Sequence, residues 1–249
     1  MNRQIVMRDK DIKLRTLRKQ LQTDGFCIVE GILPPDDLAW IQDIATGVIL
    51  GLREEHRAEQ RSTGSMVPSG EMPELIDLYI WPAALEALTD LGFDDNKFVR
   101  AYLISKPPQS PRLFWHQDLT VWSGEPRAYS DLTPQLFLMY YLSDTSRRNG
   151  CLRVIPGSHR KRHPLHELVE IAHNNEARAA VDLTSPIFRE YEDELDIPVK
   201  AGDLVIADSR MLHAAWPNCT ARRRTLVLLW HDCFPFPSVP SWWEGEVPE

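Results

Sequence analysis

The spacing of apolar side chains changes once along this chain, and that change limits the fold more than any other feature. Through roughly the first hundred residues the apolar positions recur at helical intervals. Pro34-Pro35-Asp36-Asp37 is a helix-start signal, with its acids where the helix dipole favours negative charge. Behind it Leu38, Ile41, Ala45, Val48 and Leu52 fall on one face. A second helical stretch spans 72–91 and is interrupted at Trp81-Pro82. The polar segment between them, 56–71, carries two glycines and a proline and reads as a loop.

From about Lys97 the signal becomes short β runs. Phe98–Ser105, Gln135–Leu142, Cys151–Ile155, Asp203–Ala207 and Arg224–His231 are rich in β-branched, aromatic and aliphatic residues, and Gly/Pro/Asn/Asp clusters separate them. The connections are too short for repeated parallel crossovers, so the sheet is expected to be mostly antiparallel. One longer insertion, 163–181, reads as helix or lid. The expected fold is mainly β with flanking helices, a double-sheet barrel or jelly roll. No linker divides the chain, so 1–249 is expected to be one domain, in which helix-rich residues 1–95 pack on a barrel core formed by 96–235.

Composition narrows the function classes. The 249 residues carry a formal net charge of −8, and an acidic surface repels polyanions, so no nucleic-acid partner is expected. Apolar runs such as Leu226–Trp230 are far too short to cross a bilayer. The first residues lack the apolar core of a secretory signal, and Val247-Pro248-Glu249 is no peroxisomal address, so the expected location is cytoplasmic. Cys27, Cys151, Cys219 and Cys233 are isolated and are expected to be reduced thiols.

The chemistry is carried by few residues. His116-Gln117-Asp118 sets an imidazole and a carboxylate two apart, and on an extended strand end both project to one side. A histidine from a neighbouring strand, His213, completes two imidazoles and one carboxylate. That donor set is the facial triad of non-haem iron(II) oxygenases, which leaves positions open for co-substrate and O2. Alone, the triplet is weak evidence and reads first as a hydrogen-bonded surface turn. Arg224 follows His213 by eleven residues and opens an apolar strand. If Arg224, Leu226, Leu228 and Trp230 share a face, the guanidinium points into the barrel and needs an anionic partner. Arg222 and Arg223 read as solvated surface charges.

Taken in order, these segments resemble the phytanoyl-CoA dioxygenase family over nearly the whole chain. Asp24-Gly25-Phe26 followed by Ile28-Val29-Glu30-Gly31 resembles the family's opening strand. Trp115-His116-Gln117-Asp118 is similar to its metal-binding segment. Leu142-Ser143-Asp144, then Asn149-Gly150-Cys151-Leu152-Arg153-Val154-Ile155-Pro156-Gly157-Ser158-His159, looks like its most recognisable stretch. Ala201-Gly202-Asp203-Leu204 resembles the strand before the distal histidine, and His213 with Arg224 matches the family's histidine–arginine spacing.

The resemblance implies a double-stranded β-helix with Fe(II) held by His116, Asp118 and His213, and 2-oxoglutarate paired through its distal carboxylate with Arg224. The implied reaction consumes O2 and 2-oxoglutarate and oxidises an unactivated C–H bond of a small organic molecule, most simply by hydroxylation, in a setting such as natural-product biosynthesis. Family members often carry a hydroxyl two residues after the distal histidine; this chain has Ala215 there. The presence of Asp118 points to oxygen transfer rather than to halogenation, for which the acid is replaced by a small residue. Trp122 stands where some related hydroxylases place an aromatic near the iron, and it reads equally as a core tryptophan. Of Tyr140 and Tyr141, one faces the cavity. His159, His163 and His166 lack a sensible ligand set for a metal, and His159 is expected to hydrogen-bond a loop. The aromatic tail, Phe234-Pro235-Phe236-Pro237 with Trp242-Trp243, is expected to cover a sheet face. Two other readings stand beside the enzyme: a jelly-roll binding protein without turnover, and a cupin-like metalloenzyme that ignores 2-oxoglutarate. The substrate is not legible, although the absence of a nucleotide motif disfavours a CoA thioester; oligomeric state is not legible either.

Overall fold

Ten strands in two antiparallel sheets organise the computed structural model, which describes residues 2–54, 56, 62–121, 126–168 and 184–233. In chain order they are β1 (Phe26–Val29), β2 (Ser65–Pro68), β3 (Asn96–Lys106), β4 (Leu113–His116) and β5 (Gln135–Tyr141). There follow β6 (Leu152–Val154), β7 (Leu195–Ile197), β8 (Leu204–Asp208), β9 (His213–Ala215) and β10 (Arg224–Cys233). The larger sheet has the order β1-β8-β5-β10-β3-β2, and the smaller β4-β9-β6-β7. Every pairing is antiparallel, as the short connections required. This is the jelly-roll core with flanking helices.

The larger sheet is buried on both faces, which explains why its strands read as continuous apolar runs rather than strict alternations. On β5, Leu136, Leu138 and Tyr140 pack into the cluster that also holds the helices, whereas Phe137, Met139 and Tyr141 face the second sheet. On β10, Val227 and Leu229 point to the helices and Leu226, Leu228 and Trp230 to the second sheet.

Among the described residues three helices cover the outer face: α1 (Asn2–Asp24), α2 (Pro35–Leu50) and α3 (Pro82–Leu91). The start of α2 has proline in its first turn with Asp36 and Asp37. Its buried line is Ile41, Ala45 and Ile49, with Leu38, Val48 and Leu52 as partly buried flanks. The inward face is therefore rotated from the expected one. The stretch before α3 is a 3-10 helix, Pro73–Ile80, and the break falls at Trp81, whose indole N–H donates to the Ile32 carbonyl at 3.1 Å.

The segment 56–71 corrects the loop expectation. Within it β2 pairs along β3, from Ser65 opposite Ser105 to Pro68 opposite Tyr102. An edge strand tolerates the terminal proline because no further strand needs its missing N–H. Gly64 makes the approach possible: at φ +86 a Cβ there would sit 2.5 Å from the Ser105 carbonyl oxygen. Of the insertion 163–181, Pro164–Leu168 forms a 3-10 turn and the remainder from 169 lies outside the described residues. The aromatic tail from Phe234 onward and Trp122 lie outside them too.

Candidate metal centre

Strands β4 and β9 pair so that His116 and His213 stand directly opposite one another, with ring centroids 4.1 Å apart. β4 ends at His116, and the chain then turns so that the Asp118 and Leu119 N–H groups both donate to the Ser209 carbonyl, at 3.0 and 2.9 Å. That turn swings the carboxylate back between the imidazoles. Asp118 Oδ1 lies 3.9 Å from His116 Nε2, and Oδ2 lies 3.9 Å from His213 Nε2. One donor atom from each of the three residues lies within 4.8 Å of the others.

The histidines are oriented from behind. His116 Nδ1 is 3.0 Å from the Phe114 carbonyl and His213 Nδ1 is 3.0 Å from the Met211 carbonyl. A carbonyl only accepts, so each Nδ1 carries the proton and each Nε2 offers its lone pair towards the cluster centre. Asp118 is oriented by a residue that periodicity places only on a strand face. Trp230 Nε1–H donates to Asp118 Oδ2 at 2.8 Å. Below the turn, Arg210 pairs with Asp208 through two nitrogens, at 2.9 and 2.7 Å, and donates to the carbonyls of Ser130 and Ala128. Both members of that pair are fully buried. Burial by itself raises the Asp208 pKa, but the Arg210 guanidinium outweighs it and holds the carboxyl below its ordinary value. The Arg210 carbonyl in turn accepts from the side chain of Gln117, which stands between His116 and Asp118 in the sequence.

The cluster opens into a cavity of about 680 Å³ between the sheets. Arg224, Leu226, Leu228 and Trp230 all line it, as the alternation along β10 anticipated. Arg224 is 5% exposed, its Nε is buried without a hydrogen-bond partner, and burial lowers its pKa. A guanidinium left in that state is costly unless an anion pairs with it. Tyr141 is the tyrosine that faces this cavity, and Tyr140 faces the helices. Among the described residues the Tyr141 hydroxyl has only the Met139 sulfur as partner, at 3.4 Å, and burial pushes its pKa up to about 12. Ala215 lines the same end, opposite Leu113 and Leu152. The donor set and the unpaired Arg224 fit a divalent metal together with a dicarboxylate.

Other expectations divide. Arg222 is exposed, but Arg223 is half-buried and donates to the Ser105 carbonyl and hydroxyl, a correction to its reading as solvated. That hydrogen bond anchors the start of β10 to β3. His159 Nε2 lies 3.2 Å from the Gln22 carbonyl, near the end of α1. The four cysteines are free thiols. No described helix is long and apolar enough to cross a membrane.

Two antiparallel sheets with a His-Asp-His cluster between them form the architecture of the iron- and 2-oxoglutarate-dependent oxygenases. The chain belongs to the phytanoyl-CoA dioxygenase family: the family model described as Phytanoyl-CoA dioxygenase (PhyH) matches residues 21–226. Among curated relatives, the probable alpha-ketoglutarate-dependent hypophosphite dioxygenase of Stutzerimonas stutzeri is 30% identical over 124 residues, covering 50% of this chain and 41% of the relative. The chain thus spans less than half of that protein's length. The ectoine dioxygenase of Nocardia farcinica is 23% identical over 235 residues, covering 85% of this chain and 76% of the relative. Among solved structures, the epimerase SnoN in complex with Fe3+, alpha ketoglutarate and nogalamycin RO superposes with a TM-score of 0.65 at 17% identity, covering 89% of this chain and 84% of that one.

Proposed function

We propose that the chain is an Fe(II)- and 2-oxoglutarate-dependent dioxygenase that hydroxylates an unactivated C–H bond of a small organic molecule. One observation carries this reading: the His116–Asp118–His213 cluster opens into one cavity with a buried Arg224 that has no ion pair among the described residues. His116 and His213 would hold the metal through Nε2 and Asp118 through its carboxylate. Iron and 2-oxoglutarate together supply the oxidising chemistry: substrate C–H, O2 and 2-oxoglutarate are converted to C–OH, succinate and CO2.

The chain's own contribution is orientation and exclusion of water. Arg224 would take the distal carboxylate of 2-oxoglutarate through two charge-assisted hydrogen bonds. Tyr141, on the neighbouring strand and lining the same cavity, supplies the hydroxyl that Ala215 lacks. Leu226 and Leu228, on the Arg224–Trp230 face, line the stretch between Arg224 and the metal cluster with hydrocarbon, which strengthens each polar contact there. Trp230 fixes Asp118 so that the ligand set stays in place while substrates exchange. A role in natural-product biosynthesis, the setting named for SnoN, belongs to the same proposal, as do a cytoplasmic location, the absence of nucleic-acid partners and a single domain over 1–249.

Anaerobic titration with Fe(II) and 2-oxoglutarate tests the reading. The expected result is a visible metal-to-ligand charge-transfer band that Arg224→Ala weakens, followed by succinate release in air. A jelly-roll binding protein without turnover gives no succinate with any candidate substrate, and a metalloenzyme indifferent to 2-oxoglutarate gives no band.

A further inference from the structure

The wall of the cavity next to the metal cluster carries a second arginine. Arg100 lies on β3 directly opposite Trp230 on β10, and its guanidinium sits over the Trp230 ring, 4.6 Å from the centroid. The same indole donates its N–H to Asp118. One aromatic ring therefore separates this cation from the candidate metal ligands. Arg100 lines the cavity, is exposed, and forms no ion pair among the described residues. Stacking on the indole face fixes where the head group sits without neutralising it.

The charge inventory of the cavity gives that cation a meaning. Among the described lining residues the only carboxylate is Asp118, and the only arginines are Arg100 and Arg224. In the loaded state argued above, a divalent iron, Asp118, Arg224 and a doubly negative 2-oxoglutarate cancel. Among the described lining residues Arg100 is the uncancelled charge, on the cavity wall of a protein whose formal net charge is −8. In so acidic a chain a cation on the cavity wall is a local device, because the average field attracts no anion. Around it Tyr102, Met66 and Pro68 present largely apolar surface from β3 and β2.

We infer that Arg100 binds an anionic group of the primary substrate. The substrate class is then a small organic monoanion, a carboxylate or phosphonate with a short apolar body, oxidised at a carbon a few bonds from the charge. The inference rests on the proposed Fe(II)/2-oxoglutarate reading and deepens it by naming what the enzyme recognises.

Matched ligand pairs test it. Straight-chain carboxylic acids from butanoic to octanoic, and alkylphosphonates of the same lengths, are each compared with the uncharged primary amide or dialkyl ester. Binding is read by calorimetry on the anaerobic protein with Fe(II) and 2-oxoglutarate, and turnover by succinate formed in air above the substrate-free rate. At least one acid or phosphonate series is expected to bind about tenfold more tightly than its neutral partners. Arg100→Gln is expected to erase the preference while keeping the charge-transfer band, and Arg100→Lys to retain some of it. Equal binding of acids and amides, an acid preference that survives Arg100→Gln, or no binding by either anion series overturns the inference while the band leaves the enzyme reading standing. Absence of the band in the unsubstituted protein overturns both.

Discussion

Trp230 and Asp118 are joined by an indole N–H to carboxylate hydrogen bond of 2.8 Å, although they lie far apart in sequence and only Trp230 belongs to the larger sheet. The bond takes one lone pair of Oδ2 and fixes the plane of the carboxylate between the two imidazoles. Replacing Trp230 by Phe keeps most of the ring volume and removes the donor. Iron affinity should fall about tenfold to a hundredfold, the usual effect of losing an outer-sphere hydrogen bond. Titration of the apoprotein with Co(II), followed by its visible absorption, measures the change. Unaltered affinity would mean that the turn held by Ser209 positions Asp118 alone.

Arg224 is buried with an unpartnered Nε, so the protein without 2-oxoglutarate carries a desolvated cation. Arg224→Leu removes that burden and the anion site together. The variant should melt at or above the temperature of the unsubstituted protein when no ligand is present. Its affinity for 2-oxoglutarate should fall about a hundredfold, a loss of about 3 kcal/mol. Thermal melts with and without 2-oxoglutarate separate the two effects, because only the unsubstituted protein should gain stability from the ligand.

Tyr141→Phe tests the hydroxyl that stands in for the one missing at Ala215. Its partner in the free protein is a thioether, a weak acceptor, so deletion should cost little stability. Loss of one neutral hydrogen bond to the bound carboxylate is worth about 1 kcal/mol, or about fivefold in 2-oxoglutarate affinity. Calorimetry on the metal-loaded protein reads this directly, and metal affinity should be unchanged.

What is legible of the site in the sequence is what local periodicity fixes. His116 and Arg224 declare themselves because a strand alternates and Arg224 shares its parity with Leu226, Leu228 and Trp230, whereas Asp118 reaches the cluster through the turn that follows β4. The supporting contacts depend on register between strands, which no local pattern carries. Trp230 looks like one more core aromatic until β10 is set beside β3 and across from Asp118. Asp208, which ends β8, and Arg210 carry no signal in the local pattern, and only the fold shows that they are sealed together under the turn that holds Asp118. The strand β2 reads as loop for a physical reason. Four residues bounded by glycine and ending in proline have no strand signal of their own, and they become one by pairing with the edge of β3.

The buried Asp208–Arg210 pair links stability to the site. Arg210→Met leaves Asp208 buried without its cation and should cost about 3–5 kcal/mol. The double change Asp208→Leu with Arg210→Met should recover much of that loss, since no isolated charge remains. Urea unfolding of the two variants at neutral pH distinguishes the outcomes. Equal destabilisation by single and double changes would assign the effect to packing rather than to charge.

Acid sensitivity should come from histidines that burial keeps neutral. Burial lowers His231 and His166 from 6.5 to about 4. His231 Nδ1 faces the Asn96 side-chain oxygen at 2.8 Å, and its Nε2 is buried without a partner. Because the folded-state values lie below the unfolded value, the unfolded chain binds more protons between about pH 6.5 and pH 4. Stability is therefore full above that window and is lost as pH falls through it. His231→Gln keeps a donor for Asn96 and cannot titrate, so its urea midpoint should fall less between about pH 7 and pH 4.5 than that of the unsubstituted protein. Equal falls would assign the acid sensitivity to His166 and the remaining buried histidines.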